Sequence, residues 1–316
     1  LLYQVSTGGL EPDSIAYPIR KILKNFPNFH FRLAHVDEIN AEANEVITNI
    51  GTLKYEYLVI ASGSATNYFG NTEIEKNSMA MKSIPQSLNL RSLILENFED
   101  ALLTSDLNER NALMNFVIVG AGPTGVELAG ALAEIKKGIL PKDYPDLDTR
   151  LVQINLIQSS DRILKEMSEK ASKKAEDFLE KLGVNVWKNV RVLNYDGRIV
   201  TTNSDVIFET ATLVWAAGVK GATIKGLDGN EYITKGERIL VNEFNQVKGM
   251  STVFAIGDVA CMEYDEFPRG FPMMAQPAIQ QGHQLGDNLL RLIEQKPMIP
   301  FVYKDKGAMA TVGRNK

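Results

Sequence analysis

The chain has 316 residues, of which 44% are hydrophobic and 23% are charged, and its formal net charge is −5. This length and composition fit a globular protein of two or three domains, and the acidic balance argues against nucleic-acid binding. The single cysteine, Cys261, excludes an internal disulfide, a CxxC redox pair and a zinc cluster, so we predict a small core or surface residue.

The first predicted elements occupy residues 46–64, VITNIGTLKYEYLVIASGS. Two short β-like runs precede a continuous apolar run that ends at Gly63, and such a run is typical of a strand buried on both faces. Residues 199–219, IVTTNSDVIFETATLVWAAGV, repeat this order up to Gly218, with a constant offset of 155 positions over the last six residues of each run. Chance is the alternative, because apolar strands that end in glycine are common. The shared order of elements favours a duplicated unit.

Residues 116–130, FVIVGAGPTGVELAG, carry the strongest motif of the chain. An apolar strand leads into a GxGxxG turn and then into a helix with apolar periodicity, which predicts a dinucleotide-binding unit. The first glycine permits the sharp turn, the second lets the backbone approach a pyrophosphate, and the third allows close packing of helix on strand. The N–H groups of the helix then hold the phosphate charge. The predicted cofactor-binding residues of this turn are Gly120, Gly122, Pro123 and Gly125.

The spacing between the two glycines that open and close this unit allows a prediction about the residues that precede it. Gly120 lies 98 positions before Gly218, and the same spacing would put a matching glycine of the first unit about 35 residues before Leu1. Residues 1 to about 110 are therefore predicted to be the remainder of a first dinucleotide domain without its phosphate-binding turn. Because the chain begins at Leu1 rather than at a methionine, and because of where it stops, we expect both ends to be cut.

The next strand, within INLIQSSDRIL at 154–164, ends at Gln158. An acidic residue usually binds the ribose hydroxyls at this point, about 20 residues after the turn. Here Gln158 follows Gly120 by 38 positions, and residues 136–150 account for the excess as a longer helix and loop. We predict that Gln158 hydrogen-bonds the ribose without repelling a 2′-phosphate as a carboxylate would. A solvent-facing glutamine at a strand end is the alternative.

Two further elements follow from about residue 240. VFAIGDVA at 253–260 predicts another buried strand, which ends in Gly-Asp. PAIQQGHQLGDNLLRLIEQK at 277–296 predicts a helix that begins at Pro277, with apolar residues such as Ile279 and Leu285 on one face. The order of strands and helices predicts an α/β fold of two nested units, with the second inserted into the first.

Taken together, these segments resemble the type II NADH:quinone oxidoreductases, flavoproteins with two dinucleotide-binding domains. The matching segments cover essentially the whole chain and are 1–23, GAGPTGVELAGALAE at 120–134, LVWAAGVK at 213–220, FAIGDVA at 254–260, FPMMAQPAIQQG at 271–282 and YKDKGAMATVGRNK at 303–316. The AQPAIQ and DKGAMA segments are specific to that family. The departures are Gln158, the absent flavin fingerprint and the absent C-terminal amphipathic region by which the family docks to membranes.

The resemblance implies two Rossmann-like domains made of parallel sheets with β-meander insertions, the NAD(H) domain being inserted into the FAD domain. The implied bounds are 1–112 for the first part of the FAD domain, 113–238 for the NAD(H) domain and 239–316 for the second part of the FAD domain. FAD and NADH are the implied cofactors. Because no turn is left to cradle the flavin pyrophosphate, we expect this chain to bind FAD weakly or not at all.

The resemblance also implies roles for single residues. Glu127 would orient the nicotinamide or relay a proton, although a solvated carboxylate favoured by the helix dipole is the alternative. Gln276 and Gln280, four positions apart on one helix face, would hydrogen-bond the quinone oxygens without placing a charge in an apolar slot. Asp258 would accept hydrogen bonds from the ribityl hydroxyls of the flavin. The other implied cofactor-binding residues are Gly63, Gly218, Gly257 and Lys306, the last being an exposed surface lysine in the alternative interpretation.

The implied function is transfer of electrons from NADH through FAD to a membrane quinone, without proton pumping. The alternatives are a related flavoprotein reductase with a soluble electron acceptor and an NAD(H)-binding module without turnover. Peripheral attachment to the cytoplasmic side of the cell membrane would use a C-terminal region that this chain lacks, so the fragment itself would be soluble; a homodimer is left open. The sequence predicts no metal site, since three scattered histidines lack ligand spacing, and no membrane-spanning helix.

Overall fold

The structure is a computed structural model that describes residues 1–313. Within those residues the chain forms nine α-helices. In chain order they are α1 (Leu2–Ser6), α2 (Ile19–Leu23), α3 (Thr72–Asn77), α4 (Ile84–Leu103), α5 (Leu107–Leu113), α6 (Pro123–Gly138), α7 (Leu140–Asp143), α8 (Glu169–Leu182) and α9 (Ala275–Ile293). Short 3₁₀ turns at Pro12–Ser14, Thr149–Leu151 and Gly257–Val259 complete the helical content.

The strands are short, and most lie in parallel pairs or in antiparallel meanders. They are β1 (Val36–Asn40), β2 (Glu45–Thr48), β3 (Gly51–Lys54), β4 (Leu58–Ile60), β5 (Ser64–Thr66), β6 (Met79–Ala80), β7 (Asn115–Val119), β8 (Gln153–Ile157), β9 (Asn185–Trp187), β10 (Val192–Tyr195), β11 (Ile199–Thr202), β12 (Ile207–Glu209), β13 (Thr212–Trp215), β14 (Val219–Gly221), β15 (Ile239–Val241), β16 (Val253–Ala255) and β17 (Ala260–Met262).

The chain forms two compact units, each made of separated segments. Unit 1 contains Leu1–Asn25, Thr66–Gly218 and residues 308–313, whereas unit 2 contains Phe26–Ala65 and Val219–Gly307. These boundaries do not coincide with the predicted ones at 112 and 238, and α1 packs on α4 and α6 within unit 1. The assignment of each domain to one nucleotide stays a prediction.

Unit 1 is built on a five-stranded sheet with the order β6-β13-β7-β8-β9, in which every pairing is parallel. The two faces of the sheet bury alternate side chains, as the period of a strand requires. Phe116 and Ile118 join a core with α4, α6 and α8, whereas Val117 and Val119 join a second core with the meander β10-β11-β12. Coverage of both faces explains why these strands are continuous apolar runs.

Unit 2 repeats part of this plan, with a hairpin, a strand and a glycine in the predicted order. The prediction that β4 is buried on both faces is wrong, because Val59 is 38% exposed in this short strand. The antiparallel meander β1-β2-β3 precedes β4 just as β10-β11-β12 precedes β13. The strand predicted within 253–260 is observed as β16, and it pairs in parallel with β4. The parallel sheets and meanders of both units confirm the predicted α/β class. Cys261, on β17, is a core residue with 1% of its surface exposed.

Helix α9 begins at Ala275, two residues before the predicted start, so Pro277 lies inside its first turn. Its predicted apolar face is partly wrong, because Ile279 is 58% exposed while Leu285 is buried. The buried face also contains Gln281 and Asn288. Two buried amides on a helix must find hydrogen-bond partners, and these partners determine how α9 is joined to the rest of unit 2.

Candidate functional site

The glycine turn of unit 1 follows β7 and leaves no room for side chains at two of its three glycines. A Cβ atom at Gly120, whose φ is +101°, would lie 2.7 Å from the carbonyl group of Ala216. At Gly125 it would lie 2.0 Å from the carbonyl oxygen of Gly120, which is far inside van der Waals contact. Close packing of α6 on the turn therefore requires Gly125, as predicted, and the nearby backbone of Ala216 requires Gly120.

Gly122 has different surroundings. A Cβ atom there would meet nothing within 4 Å, so the backbone at this residue faces open space. Gly122 is also the N-cap of α6, it provides no side-chain cap, and Pro123 follows at the first helical position. The first turn of α6, with the N–H groups and positive dipole end of a helix start, therefore begins beside open backbone, which suits a phosphate.

A cavity of about 520 Å³ opens beside this turn. That volume is in the range of small-molecule and cofactor sites. The ends of β7 and β8 form its floor, and the aromatic residues Tyr68, Phe69 and Trp215 contribute to one wall. The wall is held in place by a hydrogen bond from Trp215 Nε1 to the carbonyl oxygen of Asn67, 2.9 Å long. Gly218 lies next to it, where a Cβ atom would come within 2.6 Å of the Phe69 ring.

Gln158 lines the cavity at the end of β8, as predicted, but both groups of its amide already have partners. Its Oε1 accepts a 2.9 Å hydrogen bond from the backbone N–H of Ala121, inside the glycine turn. Its Nε2 donates a 2.6 Å hydrogen bond to the hydroxyl of Ser160. The amide therefore ties the turn to the neighbouring strand end. Its role toward a ribose stays a prediction.

Glu127 lies on α6, two residues after Gly125, and is not one of the described residues that line the cavity. Partial burial raises the pKa of its carboxyl, against the opposing effects of the N-terminal ammonium and of hydrogen bonds from Thr311. The Thr311 hydroxyl is in turn 3.0 Å from the hydroxyl of Tyr3. The carboxyl thus belongs to a small polar cluster against α1, and its catalytic role stays a prediction.

In unit 2 three predicted flavin residues lie together at one edge. Because β4 and β16 are parallel, Gly63 and Gly257 follow strand ends at the same edge of their sheet. A Cβ atom at Gly63 would meet nothing within 4 Å. The next residue, Ser64, donates a 2.6 Å hydrogen bond to Oδ2 of Asp258. This edge therefore presents an oriented carboxylate beside open backbone, which suits a hydroxylated ligand.

Two buried residues that the sequence analysis missed hold this edge in place. Gln281 accepts a 2.8 Å hydrogen bond from the backbone N–H of Gly257 and donates one of 2.9 Å to Oδ1 of Asn245. Arg238, only 8% exposed, donates through Nε and Nη1 to the carbonyl oxygens of Asp258 and Arg269, each at 3.1 Å, and through Nη2 to that of Ala260. Burial lowers the pKa of this guanidinium. The only signal in the sequence was the helical spacing of Gln281 from Leu285, on the buried face.

The predicted quinone residues form part of an amide ladder, which we define as Gln276, Gln280, Gln284 and Asn288 of α9. Gln276 bonds the N–H of Lys306 and the carbonyl oxygen of Gly307, and Gln280 bonds both backbone groups of Lys304. Gln284 donates to the carbonyl oxygens of Ile299 and Pro300, and Asn288 bonds both backbone groups of Ile299. The amides thus have backbone partners in segment 299–307. The side chain of Lys306 is exposed, and its contact with a cofactor stays a prediction.

Crossing a bilayer takes a helix that is both long and apolar, and none of the helices within residues 1–313 combines that length with that hydropathy.

Comparison with known proteins gives one family and several close relatives. The family described as "Pyridine nucleotide-disulphide oxidoreductase" matches residues 2–282. The type II NADH:quinone oxidoreductase Ndh of Mycobacterium tuberculosis is 34% identical, over 99% of this chain and 70% of the relative. A probable NADH dehydrogenase of Dictyostelium discoideum is 30% identical over 99% of this chain and 70% of its own length.

Solved structures agree on the fold. NDH2 from Plasmodium falciparum in complex with NADH superimposes with a TM-score of 0.89 at 20% sequence identity, covering 99% of this chain and 80% of that one. The sulfide:quinone oxidoreductase of Aquifex aeolicus gives a TM-score of 0.73 at 19% identity, covering 94% and 68%.

Proposed function

The chain belongs to the pyridine nucleotide-disulphide oxidoreductase family and, within it, to the type II NADH:quinone oxidoreductases, and from this membership we propose which of its residues serve each substrate. Its activity is oxidation of NADH with transfer of the electrons to a quinone. FAD and NADH are the cofactors of this reaction. The flavin, when bound, accepts a hydride from the nicotinamide and delivers the two electrons to the quinone.

NADH occupies the cavity of unit 1 in this proposal. The observation that carries it is the open backbone at Gly122, at the uncapped start of α6 and beside a cavity of about 520 Å³. The N–H groups of α6 would bind the pyrophosphate, and Gly120 and Gly125 keep the helix close enough to the sheet to aim them. The aromatic residues of the wall would pack against the flat rings of the dinucleotide.

The edge of unit 2 fits the ribityl part of FAD. The Asp258 carboxylate would accept hydrogen bonds from hydroxyls, Ser64 orients it, and Gly63 leaves space for the ligand. Helix α9 begins without a side-chain cap, so its positive end is available to an electron-rich ring.

Glu127 is proposed to hold a proton near the reacting rings. Reduction of a quinone by NADH consumes one proton in addition to the transferred hydride, and a carboxyl whose pKa is raised by burial can carry that proton. Gln276 and Gln280 remain our candidates for hydrogen bonds to the quinone oxygens. To reach a quinone, each amide must exchange a backbone partner in segment 299–307 for it.

We also propose peripheral attachment to the cytoplasmic face of the cell membrane, because a quinone acceptor is dissolved in the bilayer. A homodimer is compatible with this attachment. Both proposals rest on family membership rather than on any residue described above.

Hydrogen exchange with and without NADH tests the proposed nucleotide site without requiring bound flavin. We expect added protection at the amides of residues 119–122, 124, 125, 158–160 and 190–192, which lie at the glycine turn, the start of α6 and the cavity of unit 1. Protection confined to unit 2 would contradict the assignment. With protein loaded with FAD, NADH oxidation should depend on an added quinone; turnover with a soluble acceptor but not with a quinone would contradict the acceptor assignment.

A further inference from the structure

The rim of the unit 1 cavity carries a positive charge that has no assigned role in the proposed binding of NADH. Fifteen described residues line the cavity, and Arg191 alone among them is ionisable to a full charge at neutral pH. No carboxylate of the described chain forms an ion pair with its exposed guanidinium. The ribose of NADH is uncharged, and its pyrophosphate is assigned above to the N–H groups of α6, so this guanidinium has no assigned partner in the binding of NADH.

The backbone fixes Arg191 beside the strand end where a ribose would lie. The N–H of Asn189 donates to the carbonyl oxygen of Ser160, and the N–H of Val190 donates to that of Gln158, each at 3.0 Å. Arg191 is the next residue, and its own N–H donates a 2.7 Å hydrogen bond to Oδ1 of Asn203. Its side chain therefore starts from an anchored position adjacent to the end of β8.

The residues at this strand end lack the feature that rejects a phosphorylated ribose. In a dinucleotide site of this fold, an acidic residue here binds the 2′-hydroxyl and repels a 2′-phosphate, whereas a nearby arginine accommodates the phosphate. Gln158 carries no charge, and its amide is occupied by Ala121 and Ser160. The exposed hydroxyl of Ser159 and the guanidinium of Arg191 are the polar groups of the rim that remain for a ligand.

We propose that this cavity accepts NADPH as well as NADH, with Arg191 binding the 2′-phosphate and the Ser159 hydroxyl donating to it. A guanidinium suits this task because it offers several N–H donors in a planar fork to the phosphate oxygens. The inference rests on the proposed binding of NADH in unit 1 and adds a second reductant to it. Arg191 is in this view the residue that determines specificity between the two nucleotides.

Binding of NADH and NADPH, measured by quenching of tryptophan fluorescence, tests the proposal without turnover. For the unaltered chain we expect the two Kd values to lie within about ten-fold of each other at low salt. Arg191→Ala should weaken NADPH binding by about ten-fold or more and NADH binding by less than about three-fold. Gln158→Glu should favour NADH by about five-fold or more, because the carboxylate repels the phosphate.

Three controls separate the possible results. Arg150→Ala removes an exposed arginine outside the cavity and should change neither Kd, and Arg191→Lys should restore part of the NADPH affinity. Added salt should weaken NADPH binding more than NADH binding, because an exposed phosphate contact is screened. If the chain binds NADH but not NADPH, or if Arg191→Ala weakens both equally, the inference fails while the proposed NADH site stands. If neither nucleotide binds, the proposed site fails and the inference with it.

Discussion

At the scale of single residues, replacing glycine with alanine adds a methyl group, and its effect should differ between the glycines that pack in the turn and the glycine that faces the proposed ligand. Gly125→Ala would push Cβ against the carbonyl oxygen of Gly120, so we expect a loss of about 3 kcal/mol or more in the free energy of unfolding. Gly122→Ala meets no protein atom and should leave the melting temperature nearly unchanged. Its methyl group would instead occupy the space proposed for the pyrophosphate and weaken NADH binding by about ten-fold or more.

Thermal unfolding and NADH titration of both variants separate these effects. A stable Gly122→Ala protein that binds NADH as tightly as the unaltered chain would place the pyrophosphate elsewhere. A stable Gly125→Ala protein would mean that α6 can move away from the sheet at little cost.

The raised pKa of Glu127 predicts that the stability of the protein depends on pH. Burial raises the pKa of its carboxyl above the usual 4.5, so the folded protein keeps the proton at pH values where the unfolded chain has lost it. The stability that this difference contributes is fully present below the unfolded pKa and is lost as the pH rises through the folded pKa. Glu127→Gln cannot ionise and should therefore gain a few degrees in melting temperature over the unaltered chain as the pH rises from about 4.5 to 7.

The matched control is Glu96→Gln, which replaces an exposed carboxylate of the same unit. Its melting temperature should follow that of the unaltered chain at every pH. A constant difference between Glu127→Gln and the unaltered chain across this range would contradict the raised pKa.

At the scale of elements, the amide ladder joins a helix to a chain segment that has no regular structure of its own. Four residues of an α-helix rise about 6 Å, and two residues of extended chain span nearly the same distance. Gln276 and Gln280 accordingly contact Lys306 and Lys304, two residues apart. Side chains at helical spacing can thus bond an extended backbone much as a neighbouring strand would.

Gln280→Ala should therefore loosen segment 299–307 locally rather than unfold unit 2. The N–H of Lys304 loses its acceptor, so we expect its hydrogen exchange to accelerate about five-fold or more. Gln284→Ala is the control, because Gln284 bonds only carbonyl oxygens of the segment and leaves the Lys304 N–H paired. Unchanged exchange at Lys304 in Gln280→Ala would mean that the ladder does not hold the segment.

The same elements show what the sequence could predict. The glycine turn and the strands before Gly63 and Gly218 were predictable, because apolar runs and glycines act within a few residues of themselves. The partners of Arg238 and Gln281 lie at least twenty positions away, and no local pattern marks a side chain that bonds distant backbone groups. Gln158, Gln276 and Gln280 were predicted to face ligands, but the structure gives their amides partners within the protein, which only the tertiary fold reveals.

At the scale of the whole molecule, unit 1 depends on a helix from the very start of the chain. Helix α1 packs against α4 and α6, and Val5 within it is fully buried. Val5→Asp would bury a charge without a partner, and we expect a loss of about 3 kcal/mol or more and a fall in melting temperature of about 5–10 °C. Val302→Asp, at a valine that is 72% exposed, should be nearly neutral in the same thermal scan. Equal effects of the two substitutions would contradict the role of α1 in the core.

The parallel pairing of β4 with β16 also constrains the order of events during synthesis. Leu58 has its partner at Val253, which leaves the ribosome roughly 200 residues later, or about 10–40 s at usual rates of translation. During that interval β4 has been synthesised but cannot pair with β16, while most of the parallel sheet of unit 1 is already available to fold. The proposed flavin edge, with Gly63 on one strand and Gly257 on the other, is therefore assembled late, after the proposed NADH cavity.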